Sequence, residues 1–343
     1  MDFLKIDGSF GEGGGQILRT AVTLSCITQK PIQLENIRKN RKNPGLRPQH
    51  LTAIKILGKI CNAKINGLEV GSTTVKFVPT DMKDEILDEN VGTAGSISLI
   101  LAALIPAVSL CKKNLEIRIR GGTDVSWSPT SEYTKRVLGE AYSRMGIDFS
   151  MNIEKRGYYP KGGGIVSAKI SSCKELKPIV LEKRDTKQAE IFCSYSKISE
   201  QKITSIVQQI VSNLESKGFQ TKYSIINEDS INEGSSILVM SKDSKSIIGI
   251  DGLYDRKIEN FGSQIDNEFV SSNTSVDEHL SDMLVIPASL TDGMSIFNVN
   301  KISSHLETNL YVTSKFTECK YGIGKIDDGY EVRIVGNSDS SIK

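Results

Sequence analysis

The chain has 343 residues, 38% of them hydrophobic and 24% charged. That length exceeds one ordinary domain, and the composition excludes a disordered or collagen-like chain. The 43 Lys and Arg nearly cancel the 41 Asp and Glu, leaving a net charge of +2. Only a local patch, not the sum, can therefore speak for a nucleic-acid partner. Six cysteines without a C-x-x-C pair fit a reduced intracellular protein better than a disulfide scaffold or a zinc module.

Met1 leads into Asp2, Lys5 and Asp7, with no apolar run of the kind a signal peptide carries. The string Gly11-Glu12-Gly13-Gly14-Gly15 precedes a helical pattern through Ile17, Leu18, Ala21, Val22 and Leu24. A strand is predicted over Pro31–Ile37. Pro48 opens a second helix with Leu51, Ile54, Leu57 and Cys61 on one stripe, and a hairpin follows to Val78. The order then restarts at Gly92-Thr93-Ala94-Gly95: a helix over Ile97–Val108, a strand over Leu115–Arg120, a helix opened by Pro129 and a hairpin to Ile170. The uncharged stretch Asn90–Cys111 contains Gly, Ser and Pro, and its continuously apolar part is too short to span a bilayer. Gly15 and Gly95 are 80 residues apart and Pro48 and Pro129 are 81 apart, the signature of a repeat.

A third copy is predicted late: a helix over Asp277–Leu290, a strand over Ser295–Val299, a helix over Leu306–Cys319 and a closing hairpin to Val335. Residues 183–268 stand apart, with a strand over 190–195, a helix over 201–217 stopped by Gly218, and strands over 221–227 and 236–241. They read as a small α+β insert between copies two and three. Without that insert the chain is about three times the length of one unit. The repeats are expected at about 1–80, 81–182 and 269–343, so that 1–182 and 269–343 form one domain and 183–268 another.

Three groups of residues carry chemical signals. Glycines 11–15 before a helix suit either an anion cradle or a tight turn, and Glu12 in such a cradle suggests a divalent cation. The segment Ile37–His50 holds Arg38, Lys39, Arg41, Lys42 and Arg47 without an acid, shaped by Pro44, Gly45 and Pro48. It is either a phosphate or nucleic-acid site, joined by Arg19, or a solvated basic loop. The three histidines are His50, His279 and His305; His279 and Asp282 can share a helix face, and no spacing supports a structural zinc site.

Seven ordered blocks resemble the RNA 3′-terminal phosphate cyclases over essentially the whole chain: 6–20 (IDGSFGEGGGQILRT), 37–51 (IRKNRKNPGLRPQHL), 92–99 (GTAGSISL), 121–133 (GGTDVSWSPTSEY), 158–164 (YYPKGGG), 276–287 (VDEHLSDMLVIP) and 303–309 (SSHLETN). The resemblance implies an α+β fold of three tandem two-helix, four-stranded βαβαββ-like units with a smaller inserted, thioredoxin-like α+β domain. It implies ATP-dependent conversion of an RNA 3′-phosphate to a 2′,3′-cyclic phosphate, with His305 as the nucleophile that carries AMP. It also implies nucleotide contacts at His279, Leu280, Ser281, Asp282, Met283, Ala102, Pro129, Tyr133, Glu12 and Arg19. Phosphate or RNA contacts fall on Arg38, Arg41, Gln49 and His50, with Glu12 toward Mg²⁺ or Mn²⁺. His279, Met283 and Ala102 depart from residues common in the family, Tyr at the first position and Gln at the other two. The implied partners are ATP and RNA ends, with no membrane and room for a homodimer, in the cytoplasm or, in a eukaryote, the nucleoplasm. The alternatives are a histidine-less type of relative acting in ribosomal RNA processing, from which His305 separates this chain, and a plain RNA-end scaffold. Carboxyvinyl transferases have repeats of similar shape but lack the GEGGGQ and SSHLETN blocks.

Overall fold

A computed structural model describes residues 2–11, 13–254 and 261–337. In the first unit, strand β1 (Leu4–Asp7) pairs in parallel with β2 (Ile32–Glu35) across helix α1 (Gln16–Thr28). Helix α2 (Pro48–Ile60) and the hairpin β3 (Lys64–Asn66) and β4 (Val75–Val78) complete a sheet of order β1-β2-β4-β3. The second unit repeats this connectivity with β5 (Glu85–Asn90), α3 (Ile97–Leu110), β6 (Leu115–Gly121), β7 (Phe149–Lys155) and β8 (Gly164–Ile170), in the order β5-β6-β8-β7. Its second helix starts at Ser131 rather than Pro129, and passes from α4 (Ser131–Tyr133) through a π-helical turn (Thr134–Leu138) into α5 (Gly139–Arg144). No helix among the described residues is long and apolar enough to cross a membrane.

The insert contains β9 (Gln188–Ser196), α6 (Glu200–Ser216), β10 (Gln220–Asn227), β11 (Gly234–Lys242), β12 (Ile247–Leu253) and α7 (Phe261–Ser271), with sheet order β10-β9-β11-β12. A parallel β9–β10 pair joined by a helix, then an antiparallel hairpin and a helix, gives it an α+β core of its own around Ile191, Val207, Ile210, Val239 and Phe269. β12 and α7 lie beyond the four elements predicted for the insert.

The third unit comprises α8 (Glu278–Ser289), β13 (Met294–Val299), α9 (Ser304–Phe316), β14 (Lys320–Ile326) and β15 (Gly329–Val335), with sheet order β13-β15-β14. Its first strand arrives from before the insert: Ile296 N–H donates to the Ile179 carbonyl and Leu181 N–H donates to the Ile296 carbonyl, each at 2.8 Å. Val180 and Ile296 form the parallel bridge that β1–β2 and β5–β6 make in the other units. This corrects the expectation that the insert lies between copies two and three. It interrupts the third copy after that copy's first strand.

The helices α1, α3, α8 and α9 pack on one another, and their apolar faces form the main core. Arg156, fully buried just after β7, ties the second unit to the insert. Its Nη1 donates to Asp124 Oδ2 at 3.0 Å, its Nη2 to Glu132 Oε1 and Ser194 Oγ at 2.8 Å each, and its Nε to Glu228 Oε2 at 2.6 Å. Removing the cation would leave Asp124 a buried carboxylate with no counter-charge, while Glu132 keeps Arg136 at 2.6 Å. Arg156→Leu should lower the unfolding free energy in urea by about 3–5 kcal/mol; a loss below about 1 kcal/mol would show that the carboxylates find other partners.

Candidate active site

A cleft opens where α1, α3, α8 and α9 meet. Helix α9 begins at a Ser303 cap, whose Oγ accepts from Leu306 N–H at 2.9 Å and donates to Asp282 Oδ1 at 2.9 Å. That double bond fixes the first turn of α9 against α8 and places half-buried His305 in the cleft wall. One turn on, buried Asn309 donates to the Asp282 carbonyl at 2.8 Å and accepts from Thr20 Oγ1 at 2.6 Å and Gln16 Nε2 at 3.1 Å. Gln16 Oε1 in turn accepts from Arg19 Nη2 at 2.7 Å. One chain of hydrogen bonds thus runs from α8 through α9 to the cation on α1.

The electrostatics follow from burial. Burial, then the charges of Arg19 and His279 and, more weakly, Arg41, hold the His305 pKa below the ordinary histidine value, against the opposing pull of Glu278. His305 Nδ1 is buried without a hydrogen-bond partner. Burial pushes the Arg19 guanidinium down to about 10, which leaves it a cation at neutral pH. It pushes the Asp282 carboxyl up to about 7, held back by the Ser303 hydroxyl and His279. A neutral imidazole beside a partly desolvated guanidinium offers a nucleophilic nitrogen and a binding point for an anion.

His50 stands behind Arg19. A Cβ added at Gly15 would lie 2.3 Å from His50 Nε2 and 3.0 Å from Arg19 Nη1, so glycine is what lets the two side chains close on the start of α1. His50 Nδ1 accepts from Arg47 N–H at 3.1 Å, which leaves the ring proton on Nε2. Burial, then Arg19, Arg38 and Arg47, push the His50 pKa down to about 3. Arg38 sits partly buried at φ +56°, its Nε enclosed without a partner, while Arg41 and Arg47 are exposed. Gln49 turns the other way: its Oε1 accepts from Ser96 N–H, the cap residue of α3, at 3.2 Å.

On the opposite side Ala102, Pro129, His279, Asp282 and Met283 line the cleft. Three residues expected at the nucleotide do not. Tyr133 is buried, its hydroxyl donating to Asp277 Oδ1 at 2.6 Å and its ring edge-on to His279 at 5.8 Å. Leu280 belongs to the core, and Ser281 Oγ donates to the Glu278 carbonyl at 2.7 Å. Glu12 lies outside the described residues. Gln16, Thr20, Asn309 and Trp127 were not singled out as site residues, yet they line the cleft.

The insert braces this wall through β12. Asp251 Oδ2 accepts from Thr130 N–H at 2.6 Å, at the start of α4. Gly249 N–H donates to Asp277 Oδ2 at 2.9 Å, at the start of α8. No cluster of three or more His, Cys, Asp or Glu side chains suited to a metal occurs among the described residues.

Comparison with known proteins agrees with this architecture. The profile of a family described as RNA 3′-terminal phosphate cyclase matches residues 10–323. The chain belongs to that family. Proteins named RNA 3′-terminal phosphate cyclase from Methanococcoides burtonii and Pyrococcus furiosus are each 37% identical to it, covering 96% of this chain and 99% and 98% of their own lengths. One from Saccharolobus islandicus is 40% identical over 93% of this chain and 96% of its own. The matched stretch includes every residue that lines the cleft, from Gln16 to Asn309.

His50 also sets a stability signature. The unfolded chain takes up a proton near the ordinary histidine pKa of 6.5 that the folded chain refuses down to about 3. Stability from this group is therefore present above 6.5 and falls as the pH drops through that window. Urea midpoints at pH 7 and pH 4.5 should fall less in His50→Gln than in the wild type; equal losses would show that His50 is not the buried base.

Proposed function

We propose that the protein uses ATP to convert an RNA 3′-terminal phosphate into a 2′,3′-cyclic phosphate. The observation that carries the reading is His305, a half-buried imidazole with a depressed pKa, set in a cleft with Arg19 in a chain of this family. A phosphate monoester holds a poor leaving group, and adenylylation replaces it with a good one.

In this reading an imidazole nitrogen of His305 attacks the α-phosphorus of ATP. A nitrogen–phosphorus bond forms, the bond to the β-phosphate oxygen breaks, and pyrophosphate leaves. The imidazole is neutral for this step because burial and the neighbouring cations disfavour its proton. An oxygen of the RNA 3′-phosphate then attacks the same phosphorus, and the histidine leaves. The vicinal 2′-hydroxyl attacks the activated terminal phosphorus, losing its proton as AMP departs, and the cyclic phosphate remains. That hydroxyl is already placed by the ribose, which supplies the proximity advantage and makes the reaction specific for RNA.

Roles for the side chains follow from their positions. Arg19 meets the transferring phosphate, with Gln16 holding its guanidinium. Pro129, Met283, Ala102 and His279 form the side that takes the base, and Asp282 positions α9 through Ser303. Tyr133, Leu280 and Ser281 support that wall from behind. Arg38, Arg41, Gln49 and His50 are assigned to the RNA phosphate, Arg41 directly and the neutral His50 by holding the Arg19 side. The triphosphate is taken with Mg²⁺ or Mn²⁺ as part of the substrate, and Glu12 is assigned to that ion. The insert at 183–268 is read as a bracing domain on the cyclase body formed by 1–182 and 269–343. The setting we infer is the cytoplasm, in keeping with six free cysteines.

The test is incubation with ATP, Mg²⁺ and an RNA carrying a 3′-phosphate. The expected products are a phosphatase-resistant cyclic end, AMP and pyrophosphate. A 2′-deoxy end should stall with AMP attached to the terminal phosphate. Turnover of that end at the rate of the ribose end would exclude the mechanism, and an unchanged RNA end would exclude the activity.

A further inference from the structure

The motif Tyr158-Tyr159-Pro160-Lys161-Gly162-Gly163-Gly164 takes no part in the cleft described above. It lies beside a second depression, between the second unit and the insert, that shares Trp127 and His279 with the first. Trp127 is 99% exposed and Tyr159 is 75% exposed, and both line this depression with half-buried Tyr254. Two large aromatic side chains left in water lose the burial that would normally hold them, and Trp127 sits at φ +67°, rare for a bulky residue.

Neither aromatic side chain is on a loose loop. The turn around Trp127 is held by Asp251 at Thr130 N–H and by Arg156 at Asp124. The Tyr159 loop is held by Lys161 N–H donating to Asn232 Oδ1 at 3.2 Å and by Gly162 at φ +67°, where a Cβ would lie 2.8 Å from the Ala94 Cα. These contacts also occupy the carboxylates of Asp124 and Asp251. The depression is lined by these aromatic side chains, with exposed Lys161 two residues after Tyr159 and Glu233 also in the lining.

The depression adjoins the cleft that holds His305, because Trp127 and His279 line both. Gly162 packs on Ala94, the next residue Gly95 packs on the Gln49 side chain, and Gln49 follows Arg47 and Pro48. Close packing thus links the Tyr159 loop to the start of the helix that follows the basic loop. Exposed aromatic side chains next to a cationic phosphate site are the recurring means of holding single-stranded nucleic acid without reading its sequence, since every base has a ring face.

We propose that Tyr159 and Trp127, with Lys161, form a stacking subsite for the single-stranded RNA bases 5′ of the terminal phosphate. This rests on the cyclase reading above and adds where the strand lies. Tyr159 is the residue to change, because it borders only the second depression.

The experiment compares wild type, Tyr159→Ala and Tyr159→Phe on two substrates, a short oligoribonucleotide 3′-phosphate and a nucleoside 3′,5′-bisphosphate that has no upstream base. Protein labelling by ATP is followed alongside. Tyr159→Ala should raise KM for the oligonucleotide about tenfold. Its KM for the bisphosphate and its labelling by ATP should stay at wild-type values, and Tyr159→Phe should behave as wild type on all three. Trp127 is the one tryptophan of the chain, so its emission should be quenched by the oligonucleotide without ATP and not by the bisphosphate. Cyclisation with an unchanged oligonucleotide KM in Tyr159→Ala, an equal rise on both substrates, or no quenching would overturn the subsite. Quenching without cyclisation by the wild type would overturn the cyclase reading and leave the subsite standing.

Discussion

The buried amide of Asn309 is the joint on which the cleft depends. Its Nδ2 holds the Asp282 carbonyl on α8, and its Oδ1 holds Thr20 and Gln16 on α1. Asn309 is 1% exposed, so its loss would remove three hydrogen bonds from the joint between α1, α8 and α9. Because it lies one helical turn after His305, the same bonds that join the third unit to the first also aim the imidazole. Gln16 extends the joint to Arg19, so nucleophile and cation are placed by one network.

Charge gives that network its chemical meaning. Arg19, Arg38, His50 and His305 have all had their protonated forms disfavoured by burial, and the histidines lose the proton while the arginines keep it. The result is a cleft with fixed cations and neutral imidazoles, suited to an incoming polyphosphate and to a nucleophile that must be unprotonated. Asp282, raised to about 7, changes charge near neutral pH. The insert acts at a distance from these atoms, since Asp251 and Gly249 fix the starts of α4 and α8 rather than entering the cleft.

The sequence disclosed the repeat because the first two units carry a glycine turn, a proline near the start of the second helix and a hairpin at the same spacing. It did not disclose the opening strands. β1 has only four residues, and the strand at 179–181 is separated from its partner β13 by the whole insert, so no local pattern marks it. β12 contains Gly249 and Gly252, which blur strand periodicity, although Gly249 is where the insert meets Tyr133 and Val137. Within 279–283 the helical period decides which residues face the cleft: 279, 282, 283 and 286 share one face, and Leu280 and Ser281 turn into the core. The same spacing could have found Asn309 from His305 and Thr20 from Gln16, each four residues on. Tyr133 was legible as a conspicuous aromatic residue, but its burial behind His279 depends on contacts from three units. Trp127 gave no signal, since nothing in its string foretells full exposure.

The account turns on one bond, between an imidazole nitrogen of His305 and the α-phosphorus of ATP. The direct measurement is to incubate the protein with ATP and a divalent ion without RNA, digest it at neutral pH, and locate the AMP adduct by mass spectrometry. The account predicts one acid-labile adduct, on the peptide that contains His305, released on addition of RNA 3′-phosphate. An adduct on any other residue, or full cyclisation of RNA by His305→Ala, would contradict it.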